Sequence, residues 1–192
     1  VFDIEKRLVA KEEEREKKFH KIEEQVKHMT SLLDDVLIMG KSDAGRIKLN
    51  PVLTNLEDFI EKLVEEVEHS AKNGHKISVS IAAEKEDVFV DEKLLRNILI
   101  NLLTNAIKFS PEANKVLLDV VYRDKNLIII VKDYGMGIDK EDQEKVFDAF
   151  HRSSNVGTIQ GTGLGLAIVK KAIDMHNGTI ELDSALGEGT TF

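Results

Sequence analysis

The chain has 192 residues, a formal charge of −8 and no cysteine, with 42% hydrophobic and 32% charged residues. That length allows one or two domains with a sizeable core, and the composition is typical of a globular protein with charged helices. The acidic balance argues against a general nucleic-acid surface, and the lack of cysteine excludes disulfide and thiolate chemistry. No apolar run approaches the ~20 residues of a membrane-spanning helix, and no signal peptide is visible. We therefore expect a cytoplasmic protein with no membrane segment in this chain.

Residues 12–40 are predicted to form one long helix. A stripe of seven residues recurs at alternating spacings of three and four, which is the seam of a coiled coil or helical bundle: Phe19, Ile22, Val26, Met29, Leu33, Val36 and Gly40. Leu32 and Leu37 widen this face, so it needs partner helices. Because only one complete long helix is present, its apolar face needs either another chain or a missing segment, and of the two we expect a homodimer through this helix.

A boundary with glycines and small polar residues follows at residues 40–45. It divides the chain into a partial helical bundle (1–45) and a second domain (46–192). In the second domain, helices and strands alternate without a repeat. The expected elements are a capping box at Thr54 and Glu57 starting a helix, strands at 77–81 and 88–90, a buried helix at 91–109, a hairpin spanning 115–131, helices at 140–150 and 164–176, and strands at 179–182 and 190–192.

The buried helix at 91–109 carries an unusual polar face. Asn101 and Asn105 are four residues apart and therefore lie on one side of the helix, with Lys108 three residues further on. A buried asparagine costs free energy unless it is hydrogen-bonded or bound to something. One such residue is compatible with a core asparagine satisfied by the backbone, whereas two with a nearby lysine favour a ligand-binding face.

Two glycine motifs lie between residues 133 and 166: Asp133-Tyr134-Gly135-Met136-Gly137-Ile138 and Gly161-Thr162-Gly163-Leu164-Gly165-Leu166. Clustered glycines permit tight turns or close approach of a ligand, and beside a helix start they suit an anion such as phosphate. Asp133 follows the apolar run 127–131, so its carboxylate ends a buried strand. Phosphates would repel it, so we expect it to face a donor such as a purine amino group. Either motif alone is also compatible with ordinary turns; together they predict a nucleotide pocket.

Four motifs stand in an order that resembles the ATP-binding domain of bacterial sensor histidine kinases. They are the asparagine motif at 101–110, the first glycine motif, a phenylalanine motif (Val146-Phe147-Asp148-Ala149-Phe150-His151-Arg152) and the second glycine motif, with Gly187-Glu188-Gly189-Thr190 as a final element. The resemblance covers roughly residues 49–192. The long helix is similar to the second helix of that family's dimerisation bundle.

The resemblance implies an α/β sandwich of the Bergerat type, in which helices lie on a mixed sheet and ATP binds under a flexible lid. At the phosphate end it implies that Asn105 holds Mg²⁺ through its amide oxygen, with Asn101 near the same site. Lys108 and Arg152 would meet phosphates, which Gly161, Gly163 and Gly165 would cradle. These roles agree with the preference of a hard cation for oxygen ligands and with cation stabilisation of a moving phosphoryl group.

At the other end of the pocket, the resemblance implies that Asp133 accepts a hydrogen bond from the adenine amino group. Gly137 would give the base room, Thr190 would help hold the adenine through water, and Phe109 would line the pocket. The remaining cofactor-binding positions that it implies are Gly135, Ile138, Phe150, Thr162, Leu164 and Leu166.

Position 101 bears on the reaction. ATP-hydrolysing relatives of the gyrase, mismatch-repair and Hsp90 types carry Glu where this chain has Asn101. An amide cannot take a proton from water at neutral pH, so Asn101 disfavours hydrolysis. The expected function is that of a protein-histidine kinase catalytic fragment, which uses Mg²⁺-ATP, releases ADP and supplies a phosphoryl group for relay to the Asp of a response regulator receiver domain.

None of the six histidines has the phosphoacceptor context of that family, in which an acidic residue follows the histidine and Thr-Pro or Asn-Pro comes soon afterwards. We therefore expect the acceptor helix upstream of Val1 and the final strand of the fold after Phe192, and we expect this fragment not to phosphorylate itself. Three alternatives stay open: a nucleotide-binding interaction or reporter module without transfer activity, an ATPase of the same superfamily, and a related serine-kinase regulator that would lack the heptad helix.

Overall fold

A computed structural model of the chain describes scattered positions between Arg15 and Gly40, and residues 48–192 apart from 72–73, 84–86, 114, 154–155, 158 and 160. The chain divides into two compact units, 1–44 and 45–192. In the first unit every described position from Arg15 to Gly40 is helical. The apolar residues of the stripe between Phe19 and Val36 are 50–63% exposed. Leu32 and the boundary at 41–47 lie outside the described residues, so the single long helix stays a prediction.

The second unit contains a five-stranded mixed sheet, a two-stranded sheet and four helices among its described residues. The strands are β1 (Val52–Asn55), β2 (Lys76–Ala83), β3 (Asp87–Val90), β4 (Lys115–Arg123), β5 (Asn126–Lys132), β6 (Asp183–Ala185) and β7 (Gly189–Thr191); the helices are α1 (Leu56–Ser70), α2 (Glu92–Phe109), α3 (Lys140–Gln143) and α4 (Gly165–Met175). The large sheet has the order β2-β4-β5-β7-β6, and β1 pairs with β3. Among the described strand pairs, β2–β4 is the only parallel one. The predicted α/β architecture is confirmed.

The core lies between the helices and one face of the large sheet. Val116, Leu118 and Val120 alternate along β4 and are fully buried, as expected for residues that share one face of a strand. They belong to one cluster with Leu99 and Leu103 of α2 and with residues of α1 and α4. Because α2 packs on the sheet through this apolar face, its asparagines lie on another side of the helix.

Side-chain caps fix where α1 and α2 begin. Asn55 accepts a hydrogen bond from the backbone N–H of Asp58 (3.0 Å), so it is the residue that caps α1. The predicted capping box at Thr54 and Glu57 is wrong, because Thr54 still belongs to β1 and its hydroxyl donates to Glu92 (2.9 Å). Asp91 caps α2 by accepting from the N–H groups of Lys93 and Leu94.

Two predicted elements have different boundaries in the structure. The helix expected at 140–150 ends at Gln143, and irregular turns follow because the N–H of Phe150 donates to the carbonyl of Gly163 (2.9 Å) instead of to the preceding turn. The strand expected at 179–182 is replaced by β6 at 183–185. Its antiparallel pairing with β7 begins only at Asp183 and Thr191, and no described strand lies opposite residues 179–182.

The β4–β5 hairpin gives a first stability prediction. Asp124 (φ 52°) and Lys125 (φ 64°) both adopt the left-handed conformation that two-residue hairpin turns require and that favours glycine. Lys125→Gly is expected to stabilise the protein by about 0.5–1 kcal/mol, because glycine reaches this conformation without steric cost. Urea unfolding measures the gain. Lys125→Ala removes the same charge but keeps Cβ, so an equal gain in both variants would contradict this explanation.

Among the described residues, no helix combines the length and the apolar character that crossing a bilayer requires.

Candidate functional site

The two predicted asparagines meet the start of α4. A Cβ atom placed on Gly165 would lie 2.6 Å from Oδ1 of Asn101 and 4.0 Å from Nδ2 of Asn105. Both asparagines are half-buried. The amide group of Asn101 donates to the carbonyl of Asn97 (2.9 Å), which leaves its Oδ1 on the side of Gly165. The structure therefore brings the asparagine motif and the second glycine motif together, and glycine at position 165 is what lets α4 begin so close to α2.

Lys108 is a half-buried cation next to the same glycine motif. Its Nζ would lie 2.7 Å from a Cβ on Gly161, and it lies 4.4 Å from the ring centroid of Phe109. Burial lowers the pKa of Lys108, and the positive charge of Arg152 lowers it further. Within the described part of the chain, no carboxylate forms an ion pair with this ammonium group. A cation that is short of water and close to a second cation is a suitable partner for a bound anion.

The phenylalanine motif and the second glycine motif cross at Phe150 and Gly163. Gly163 (φ 73°) accepts the Phe150 hydrogen bond, and a Cβ on it would lie 2.9 Å from the Cα of Phe150. Phe150 has a positive φ (66°) and its side chain is 70% exposed. Arg152 is exposed and donates to the carbonyl of Ile159 (2.6 Å). This crossing brings Arg152 back towards Lys108.

The start of α4 presents backbone N–H groups. Leu164 is the N-cap and makes no side-chain cap hydrogen bond, whereas its own N–H donates to the hydroxyl of Thr162 (3.0 Å). The first N–H groups of a helix have no partner within the helix and carry partial positive charge. The side chain of Leu164 is buried and that of Leu166 packs partly against the core, so these two predicted binding residues offer a ligand mainly their backbone.

At the other end of the site, Asp133 is almost completely buried (6% exposed). Its Oδ1 accepts hydrogen bonds from the N–H groups of Gly135 (2.8 Å) and Thr190 (3.2 Å). Burial raises the pKa of Asp133, and these two hydrogen bonds oppose that rise. The backbone of Asp133 also pairs with Thr190 (2.9 Å). Since both side-chain bonds end on Oδ1, Oδ2 is the carboxylate oxygen left for another donor.

The glycines of the first motif are needed for chain packing. A Cβ on Gly135 would lie 2.1 Å from the carbonyl oxygen of Phe109, which accepts a hydrogen bond from the N–H of Met136 (3.1 Å). Gly137 (φ 68°) faces the carbonyl of Ala185, 2.0 Å from a built Cβ. The role of Gly137 in giving the base room stays a prediction; its contact with Ala185 is a separate reason for glycine at this position.

Three residues that support the site were not identified from the sequence. His75, which is buried, lies with Nε2 2.8 Å from the carbonyl oxygen of Ser110 and holds the end of α2 just after Lys108 and Phe109. Ser184 accepts from the N–H of Ile138 (2.9 Å), and Gln143 donates to the carbonyls of Ile138 (3.0 Å) and Ser184 (2.9 Å). These residues come together only through tertiary contacts, so spacing along the chain carried no signal for them.

The donor set of the site suits a metal that arrives with its ligand. In the described residues no group of three or more His, Asp or Glu side chains could hold a metal ion. Mg²⁺ binds proteins through few oxygen ligands and completes its octahedral shell with water and substrate phosphates. The amide oxygen of a single asparagine such as Asn105 therefore fits a magnesium ion bound together with phosphates.

Comparison with known proteins gives the family. Residues 90–192 match the family described as histidine kinase-, DNA gyrase B-, and HSP90-like ATPase. The chain is 39% identical over 171 residues to the non-motile and phage-resistance protein of Caulobacter vibrioides, covering 85% of this chain and 20% of that protein. It is 34% identical over 171 residues to the sensor histidine kinase WalK of Bacillus subtilis, covering 87% of this chain and 28% of WalK.

A solved structure of full-length ShkA in complex with AMPPNP superimposes with a TM-score of 0.74 and 30% sequence identity, covering 86% of this chain and 35% of ShkA. The chain thus spans well under half of the length of each of these relatives. The motif order, the mixed sheet and the family match agree, and the chain belongs to the histidine kinase-, DNA gyrase B-, and HSP90-like ATPase family, carrying an ATP-binding domain of the histidine kinase type.

Proposed function

We propose that residues 46–192 are the catalytic domain of a protein-histidine kinase, which binds Mg²⁺-ATP and transfers its γ-phosphoryl group to a histidine on a dimerisation helix. The observation that carries this proposal is the half-buried Lys108, which no described carboxylate neutralises. It lies beside Gly161 and close to Arg152. A triphosphate supplies the negative charge that this arrangement lacks.

At the phosphate end, the N–H groups at the start of α4 and the glycines Gly161, Gly163 and Gly165 would contact phosphate oxygens. Lys108 and Arg152 would stabilise the charge on the transferred group. Asn105 would be the protein ligand of Mg²⁺, with Asn101 beside it, and the bound ion would supply positive charge that offsets the charge of the phosphates. A histidine nitrogen attacks the γ-phosphorus, the bond from that phosphorus to the bridging oxygen breaks, and ADP leaves.

At the adenine end, the amino group would donate to Oδ2 of Asp133, while Thr190 would bind the base through water. Phe109, which is next to Lys108, would line the pocket. Position 101 carries an amide, which cannot take a proton from water at neutral pH, and this supports phosphoryl transfer over hydrolysis.

The proposed kinase function also implies binding partners for this chain. The exposed stripe of the first unit, from Phe19 to Val36, is the proposed dimerisation face. The phosphoacceptor would lie on a helix upstream, and the phosphoryl group would pass to a receiver domain of a response regulator in the cytoplasm.

The test is to mix the purified chain with a separately made acceptor-bearing helical bundle and labelled ATP. We expect acid-labile phosphohistidine on the bundle and a melting temperature of the chain that rises with Mg²⁺-ADP. Nucleotide binding without phosphohistidine would indicate a reporter module instead. ADP formation that is independent of the acceptor would indicate an ATPase.

Asp133→Asn tests the assignment of the adenine end. We expect ADP affinity to fall about 10- to 30-fold, because a charge-assisted hydrogen bond is lost and the amide places a donor towards the amino group. Isothermal titration measures the change. Asp119→Asn, on the outer face of β4 opposite Ile130, is the matched control and should bind ADP like the unmodified chain. Equal affinities of all three proteins would refute the assignment.

The same substitution has a defined effect on stability. A carboxyl whose pKa is raised in the folded state makes folding less favourable as pH rises from its unfolded pKa through its folded pKa. Since the amide Oδ1 can keep both backbone hydrogen bonds, the free Asp133→Asn protein should be at least as stable at neutral pH. Any such advantage should disappear under acidic conditions. If the Asp133→Asn protein loses ADP affinity but keeps its stability, the carboxylate acts in nucleotide recognition and not in folding.

A further inference from the structure

The hydroxyl of Ser184 lies at a junction between β6, β7 and the first glycine motif. It lies 2.9 Å from the backbone nitrogen of Ile138, 2.8 Å from the carbonyl oxygen of Gly189 and 3.0 Å from the hydroxyl of Thr190. Thr190 is the residue whose N–H donates to Asp133. Ser184 thus contacts Thr190 directly and is connected through it to Asp133, the other residue of the proposed adenine end.

The three contacts determine which atom donates in each. The N–H of Ile138 can only donate and the carbonyl of Gly189 can only accept, whereas a serine hydroxyl has one proton and two lone pairs. The serine proton goes to the Gly189 carbonyl, the nearer of its two acceptors. Ser184 then accepts from Ile138 with one lone pair, and its other lone pair accepts the proton of Thr190. In this arrangement the hydroxyl of Thr190 keeps only lone pairs for a ligand or a bridging water.

The surroundings hold this arrangement in place. Thr190 and Asp133 are 7% and 6% exposed, so little water is available to replace a lost hydrogen bond. Gln143 donates to the carbonyls of both Ile138 and Ser184, which fixes the distance between the first glycine motif and β6. The Ser184 hydroxyl is therefore a fixed acceptor for Thr190.

We propose that Ser184 is a positioning residue that makes Thr190 a hydrogen-bond acceptor, so that the base end of the site selects 6-amino purines over 6-oxo purines. This inference rests on the proposed function. The two side chains proposed for the base end, the Asp133 carboxylate and the Thr190 hydroxyl, are then both acceptors. An amino group can donate to them, directly or through water. In a 6-oxo purine the 6-position carries an acceptor and the donor moves to N1, so the group at the 6-position can no longer donate to these two side chains.

The experiment compares the affinities for ADP and inosine diphosphate, which carries a 6-oxo group, in the presence of Mg²⁺. We expect Ser184→Ala to free the Thr190 proton and to reduce the ratio of ADP to inosine diphosphate affinity about five- to tenfold. Ser184→Thr keeps the hydroxyl and should keep the ratio. Ser184→Cys has similar size but is a weak hydrogen-bonding group, and it should change the ratio in the same direction as alanine.

A double-mutant cycle connects the effect to Thr190. In a Thr190→Val background, which lacks the threonine hydroxyl, adding Ser184→Ala should change the ratio by less than about twofold. If both affinities fall in parallel in the alanine and cysteine variants, Ser184 is only structural and the inference is wrong. If the unmodified chain binds neither nucleotide, the proposed function itself fails, so the two failures are distinguishable.

Discussion

Asn105→Ala is expected to reduce Mg²⁺-dependent phosphoryl transfer to an acceptor bundle by at least about 100-fold, the size of effect seen when a group that stabilises transition-state charge is removed. Asn105 lies one turn from Asn101 and faces the start of α4, near Gly165. The proposed adenine contacts come from other elements, since Asp133 follows β5 and Thr190 belongs to β7, and they stay intact. ADP affinity measured without Mg²⁺ should therefore change by less than about threefold.

The prediction is specific because the rate of phosphoryl transfer should fall while the ADP affinity measured without Mg²⁺ stays nearly unchanged. Alanine is favourable inside a helix and Asn105 is only half-buried, so the variant should fold normally. Asn126→Ala, at the exposed β4–β5 hairpin, is the matched control and should transfer phosphate at the original rate. Undiminished transfer by Asn105→Ala would show that another group is the metal ligand.

Gly135→Ala should lower the free energy of unfolding by about 2–3 kcal/mol, near the upper end of the usual cost of overpacking. Gly135 does not have a positive φ, so the expected loss comes only from contact. The new methyl group would lie 2.1 Å from the Phe109 carbonyl oxygen and 2.9 Å from the Cα of Ser110. Both obstacles are backbone atoms at the end of α2, which cannot move away without disturbing Lys108 and Phe109.

Gly161→Ala is the matched control for this prediction. Its φ is also not positive, but the atom that its Cβ would meet is the flexible end of a side chain, Nζ of Lys108, at 2.7 Å. We expect its stability to stay within about 0.5 kcal/mol of the unmodified protein, because the flexible end of the lysine side chain can move aside at little cost. Urea unfolding followed by circular dichroism gives both values. Equal losses for the two variants would mean that backbone contact at Gly135 is not the cause.

Local sequence patterns predicted the regular elements well where burial and periodicity agree. The apolar positions of α2 and the alternation along β4 are each set by neighbours within the same element, so the helix and the hairpin were predicted within one or two residues. The failures at 144–150 and 179–182 have a different origin. Phe150 bonds to Gly163, thirteen residues away, and β6 begins where β7 lies opposite it.

In the candidate site, too, some features follow from local sequence patterns and others only from tertiary contacts. Sequence alone determined that Asn101, Asn105 and Lys108 share a region of one helix and that Asp133 directly follows a strand, because these are local properties. The prediction that this strand is buried was wrong: Ile128 and Ile130 of β5 are 49% and 38% exposed, and Val131 is its one buried residue, because burial depends on which elements cover each face of the sheet. Only the tertiary structure decided that Gly161 lies against Lys108, that Gly165 lies against Asn101, and that Ser184 and Gln143 hold the turn at Ile138. Such contacts join residues far apart in the chain, and their geometry follows from how the whole core packs.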